Sequence, residues 1–160
     1  MNATELKTKE YFETRRIPLT KISESAQMTP DFEGEEILVE VKEVKPEEKE
    51  GLHKDSTYNA IKNNLKNAAK KFSSYDVRHK KRHTVVIFSD DIITDDIYSV
   101  WTGEWSPKNR ERIFRGGMVL SRSHRAQIDA VVWFKKISDR EPKHVWRVSE
   151  DVDKFFVNKH

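Results

Sequence analysis

The chain has no cysteine. That excludes a disulfide framework, a thiolate zinc site and a cysteine nucleophile. Glycine and proline number five each in 160 residues, too few for long flexible linkers. No apolar run approaches the roughly 18 residues of a membrane span. The opening MNATELKTKEYFETRR holds no apolar signal core. The sequence therefore leads us to expect a cytoplasmic protein with no membrane partner. No glycine-rich phosphate loop appears, which argues against a nucleotide-driven motor. No nucleophile-elbow signature of a Ser–His–Asp hydrolase appears either. A histidine-based zinc site is not expected.

What the sequence does hold is charge, and the charge is segregated. Charged residues make up 36%, as do apolar ones, and the net charge is only +3. Yet residues 31–50 carry nine acids against three lysines. Residues 62–83 carry eight Lys and Arg against one acid, and residues 106–127 carry six against one. Carboxylates gathered in one place and basic surface in another suit a protein that works on a polyanion. The apolar residues come in short dense clusters, enough for one modest core. We expect a single domain over 1–160.

The clusters define the elements. Residues 3–16 use helix formers until Ile17-Pro18 breaks the pattern, with Ala3, Leu6 and Phe12 as a thin apolar face. Leu19 to Ile22 and Thr29 to Phe32 read as short strands, the latter followed by a Glu33-Gly34-Glu35 turn. Glu36 to Val44 is β-branched and alternating, a strand. Tyr58, Ile61, Leu65, Ala68, Ala69 and Phe72 recur at helical spacing over 56–72. Thr84 to Phe88 and Ile128 to Phe134 read as buried strands. A helix is expected over Asp91 to Trp101, an edge strand over Val145 to Val148 and a closing helix over Val152 to Val157. This is an α/β protein with a mixed central sheet flanked by helices.

Chemistry concentrates between Asp31 and Lys42. Glu40 and Lys42 are two apart on a strand, so both leave one face. The Glu-Gly-Glu turn can bring Asp31 beside Glu40. Two carboxylates offer hard oxygen ligands for Mg²⁺ or Mn²⁺, with the Val41 carbonyl as a third candidate. Lys42 would then stand near the reacting phosphoryl group, where it can stabilise charge. A rival cluster, Asp90, Asp91, Asp95 and Asp96, reads better as a helix start.

Pro30-Asp31 followed by Glu40-Val41-Lys42 resembles the PD-(D/E)xK nuclease superfamily, in which Pro-Asp begins the second strand and acid-x-Lys lies on the third. The resemblance covers roughly residues 1–90. It implies a restriction-endonuclease-like αβββαβ core and a magnesium-dependent deoxyribonuclease. It also implies an acid from the first helix, for which Glu13 is the candidate and Glu10 its neighbour. The helix after the third strand would contribute polar residues, with Lys62, Asn63 and Lys66 on its polar side. A second triplet, Glu43-Val44-Lys45, would face the other side of the strand.

Nucleic acid, DNA before RNA, is the expected partner. Lys62, Asn63, Lys66 and Lys70 on the helix would hold phosphates, together with Arg110, Arg112, Arg115, Arg122 and Arg125 in the later basic segment. There the arginines interleave with Tyr98, Trp101, Trp105 and Phe114, a pattern that can stack bases. A homodimer would let the protein cut both strands. Two alternatives stand beside the enzyme: a non-catalytic nucleic-acid-binding or assembly module on the same fold, and a subunit active only with a larger protein partner.

Overall fold

The computed structural model describes residues 1–23, 28–44, 53–90, 94–102 and 120–156. Helix α1 (Ala3–Glu13) leads into strands β1 (Thr20–Lys21), β2 (Phe32–Glu33) and β3 (Ile37–Glu43). Helix α2 (His53–Tyr75), strand β4 (Arg82–Phe88), helices α3 (Thr94–Thr102) and α4 (Arg122–Arg125), and strands β5 (Ala130–Phe134) and β6 (His144–Arg147) follow. The closing helix expected over Val152 to Val157 is a 3₁₀ helix, Glu150–Phe155, with Val157 outside the described residues.

The strands form one six-stranded sheet in chain order, β1 to β6. The first three pair antiparallel, β3, β4 and β5 run parallel, and β6 returns antiparallel along the edge. Successive right-handed crossovers between strands laid down in one direction must fall on one face. The cores agree: Leu38, Val85, Ile87 and Val131 on one face pack with the apolar stripe of α2, with Ile97 and Trp101 of α3 and with Leu120 and Ile128. Ile37, Val39, Val86 and Val132 on the other face meet Tyr11 and Phe12 of α1 and Val152 and Phe155 of the 3₁₀ helix. None of the described helices is long and apolar enough to cross a membrane.

The inward face of α1 departs from the sequence reading. In α1, Leu6 is 53% exposed. The inward face is instead Thr4, Thr8, Tyr11 and Phe12. Thr8 is tolerated there because its hydroxyl donates to the Thr4 carbonyl at 2.8 Å. The helix starts on a capping box in which the Asn2 side chain accepts from Glu5 N–H and Glu5 accepts from Asn2 N–H.

Gly34 sets the hairpin that matters. Its N–H donates to Ile37 O at 2.8 Å. A Cβ there would come within 2.9 Å of Ile37 Cγ2 and 3.2 Å of Pro18 O. This turn fixes the pairing of Phe32 with Val39 and of Glu33 with Leu38. The next pair along that register is Asp31 opposite Glu40.

Candidate active site

The register does what the sequence arithmetic expected. Facing residues in an antiparallel pair share one side of the sheet, and the Asp31 and Glu40 carboxyl groups lie within hydrogen-bonding reach of each other. Asp31 N–H donates to Val39 O at 3.1 Å. Val41 N–H donates to Asp31 Oδ2 at 2.8 Å. N–H and C=O of one strand residue leave on the same side, so the Val41 carbonyl also faces the Asp31 edge. Lys42 Nζ is 3.1 Å from Glu40 Oε2. Asp31, Glu40, Val41 and Lys42 thus converge as a group.

Glu40 is the unusual member. It is 0% exposed on an otherwise apolar strand. Among the described residues neither of its oxygens has a well-directed hydrogen bond, although two ammonium groups approach Oε2 off-angle. Burial, then the neighbouring Asp31 carboxylate, pushes its pKa up to about 7, with Lys42 and Lys71 opposing. Burial would raise Asp31 too. There the adjacent Glu40 carboxyl, the Val41 N–H and the Lys21 ammonium win, and the pKa falls below the usual carboxylate range. The two closely placed carboxyls thus titrate as a coupled pair, Glu40 shifted up and Asp31 shifted down.

The second ammonium comes from Lys71 of α2, 2.6 Å from Glu40 Oε2. Burial would lower its pKa, but the Glu40 and Asp31 carboxyls outweigh burial and raise it. Sequence reasoning missed Lys71. It adjoins Phe72 at the margin of the apolar stripe, where a side chain can reach back over the sheet. Nothing in the doublet Lys70-Lys71 says which lysine turns inward. Lys62, Asn63, Lys66 and Lys70 lie elsewhere on α2. After burial, the charges of Lys66, Lys70 and Lys62 depress the pKa of His124 on α4, so they lie toward that end of the molecule rather than at Glu40.

The acid on α1 that reaches this network is Glu5, not Glu13. Glu13 pairs with Lys9 on the same helix and is exposed, and Glu10 is exposed as well. Eight residues of helix separate Glu13 from Glu5, about 12 Å along the axis. Glu5 is ion-paired with Lys21, and Lys21 Nζ lies 3.2 Å from Asp31 Oδ1. Its signature was the capping box, Asn2 with Glu5 three residues on. In the second triplet, Glu43 is exposed and Val44 is buried in the α2-side core, while Lys45 lies outside the described residues. So do Arg110, Arg112 and Arg115, the aromatics Trp105 and Phe114, and Asp91. Arg122 and Arg125 sit on α4.

The donor set fits a hard divalent cation. Two carboxylates stand together with a backbone carbonyl on the same strand edge, and among the described residues the buried oxygens of Glu40 have no well-directed partner. Among the described residues a second group, His79, His83 and Asp129, has potential ligand atoms within 4.8 Å of one another. His79 and His83 stand four residues apart, a ligand-like spacing at odds with the expectation of no histidine zinc site. Its geometry is that of a buckle rather than a metal cage. The two imidazoles stack at 3.8 Å with planes 1° apart, so their in-plane lone pairs run parallel instead of converging. The nitrogens are also engaged: His83 Nδ1 with Gln127 O at 2.7 Å, His83 Nε2 with Asp76 at 2.9 Å, and His79 Nε2 with Asp129 at 2.6 Å. Burial holds the His83 pKa below its usual value, against the Asp76 hydrogen bond. Asp129 Oδ2 also accepts from His83 N–H at 2.7 Å. Asp129→Ala orphans that buried donor and frees His79. It should cost roughly 2–4 kcal/mol in urea denaturation, and a change below about 0.5 kcal/mol would refute the buckle.

Comparison of the chain with protein-family models, with curated proteins and with solved structures gives no match.

Proposed function

We propose that the chain is a metal-dependent nuclease of PD-(D/E)xK type that hydrolyses phosphodiester bonds in nucleic acid, most readily DNA. The observation that carries this reading is the buried Glu40 carboxyl paired across strands with Asp31 and flanked by Lys42 and Lys71. A lone Glu-x-Lys is common on half-wet strands. A fully buried one, with a second acid at hydrogen-bond reach and two ammonium groups, incurs a desolvation cost that a structural role does not require.

Asp31, Glu40 and the Val41 carbonyl would hold Mg²⁺ or Mn²⁺. Such an ion supplies Lewis-acid polarisation of a phosphoryl oxygen. Glu40 must give up the proton at its carboxyl to serve as a ligand, and its pKa of about 7 places that loss near neutral pH. Lys42 and Lys71 present ammonium groups where negative charge grows on the phosphoryl oxygens as the bond to the leaving sugar oxygen breaks. Lys21, clamped between Glu5 and Asp31, keeps Asp31 ionised and fixes its rotamer.

Plasmid nicking with Mg²⁺, Mn²⁺ or EDTA tests the proposal. Wild-type protein should nick with either metal and not with EDTA, and Asp31→Asn should be inactive. DNA binding that survives EDTA without any nicking would favour a non-catalytic module. Activity appearing only on mixing with a larger protein would favour the subunit reading.

A further inference from the structure

On the α2-covered face of the sheet, beyond α2 from the carboxylates, a cavity of about 530 Å³ opens between α3, α4 and the edge strand β6. That lies within the range of roughly 300–1,000 Å³ usual for small-ligand sites. Tyr98, Trp101 and Trp146 supply aromatic walls, and Arg122, Arg125 and Arg147 supply guanidinium groups. No acidic side chain is among its described lining residues.

Guanidinium N–H groups donate and cannot accept, so a ligand seated here must bring acceptors. Arg147 is paired with Asp153 at 2.7 Å. Among the described residues Arg122 and Arg125 have no carboxylate partner. The ligand therefore has a flat face to lie against indole and phenol rings, acceptor atoms for guanidinium N–H, and negative charge for two arginines with no carboxylate partner among the described residues. A nucleotide has all three.

The surroundings indicate a strand rather than a free nucleotide. Lys66, Lys70 and Lys62 lie near enough to His124 of α4 for their charges, after burial, to lower its pKa. Lys70 is followed by Lys71, which touches Glu40. A basic path thus joins the cavity to the carboxylates across α2. Stacked bases inside a duplex do not offer their faces, whereas unpaired ones do. We propose that this cavity binds an unpaired nucleotide of the nucleic-acid substrate, its base against Tyr98 and Trp146 and its phosphate at Arg122 and Arg125. The inference deepens the nuclease reading by assigning a single-stranded or frayed substrate.

The test is binding to a short labelled single strand, to the same sequence as a blunt duplex and to the corresponding mononucleotide. All measurements are made in EDTA, so that no cleavage occurs. Fluorescence anisotropy and quenching of intrinsic tryptophan emission are both read. The single strand should bind at least tenfold more tightly than the duplex or the mononucleotide and should quench the tryptophans. The double variant Arg122→Ala/Arg125→Ala, checked for folding by circular dichroism, should bind the single strand about tenfold or more weakly. The cavity assignment falls if the double variant binds like wild type, if the duplex binds as well as the strand, or if the mononucleotide matches the strand. The outcome is separable from the nuclease proposal. Strand binding without nicking in Mg²⁺ removes the enzyme and leaves the cavity, while nicking with unselective binding removes the cavity and leaves the enzyme.

Discussion

Replacing Glu40 with Gln should make the metal-free protein more stable in alkali while abolishing cleavage. In the folded chain the Glu40 carboxyl holds its proton up to about pH 7, against an ordinary value of 4.5, because of burial and then Asp31. Between those two pH values the native state binds a proton that the unfolded chain has released, so wild-type stability falls as pH rises through that window. Above it the full cost is present, roughly 3 kcal/mol at 1.36 kcal/mol per pKa unit. Glutamine keeps the shape of the protonated acid and never ionises. Melting curves in EDTA should therefore coincide near pH 4.5 and separate toward pH 8.5, the variant ending about 5–10 °C higher for a domain of this size. Mg²⁺ should narrow the gap by stabilising the wild type alone, in proportion to the logarithm of its excess over Kd. Parallel melting profiles, or a variant that melts lower at pH 8.5, would contradict this account of Glu40.

The second large effect concerns the two lysines. Lys42→Ala and Lys71→Ala should each lower kcat for oligonucleotide cleavage by about 100- to 1,000-fold, with a smaller change in KM. The reason is timing: the phosphoryl oxygens carry more charge to stabilise in the transition state than in the bound substrate. The double variant should be much less than the product of the two losses, because both ammonium groups act on the same charge. Lys70→Ala is the informative neighbour. It removes the same residue type one position away, toward the α4 end of the molecule rather than at Glu40. It should weaken substrate binding, and the weakening should diminish as salt is raised. A Lys71→Ala enzyme with unchanged kcat would reduce Lys71 to a counter-ion for a buried acid.

Much of this arrangement was legible in the chain. The runs ILVEV, TVVIF and AVVWF are apolar enough to be central strands whatever surrounds them, and the stripe from Tyr58 to Phe72 has helical spacing. The short turn at Gly34 lets two carboxylates be paired by counting alone. Other parts were not legible, for physical reasons. Lys71 differs from Lys70 only in angle around α2, and that angle matters only once the helix is docked on β3. Only its place on the first helix points to Glu13. Yet the helix acid that reaches Lys21 is Glu5, which is also half of a capping box and reads as a local signal. The approach of His79 to His83 depends on how the loop between α2 and β4 folds back, with His79 in a left-handed backbone conformation at φ 51°. Sequence spacing gives no view of that.

The sheet is built in the order in which the ribosome delivers it. Asp31, Glu40, Lys42 and Lys71 have all emerged before the first residue of β4, and each later strand docks beside one already in place. The half that would cut is thus synthesised ahead of the half that would grip. While β5 is still being made, the unpaired edge of β4, with Val85 to Phe88 along it, is the most aggregation-prone surface of the nascent chain. A product ending before Ala130 would leave that edge permanently uncovered.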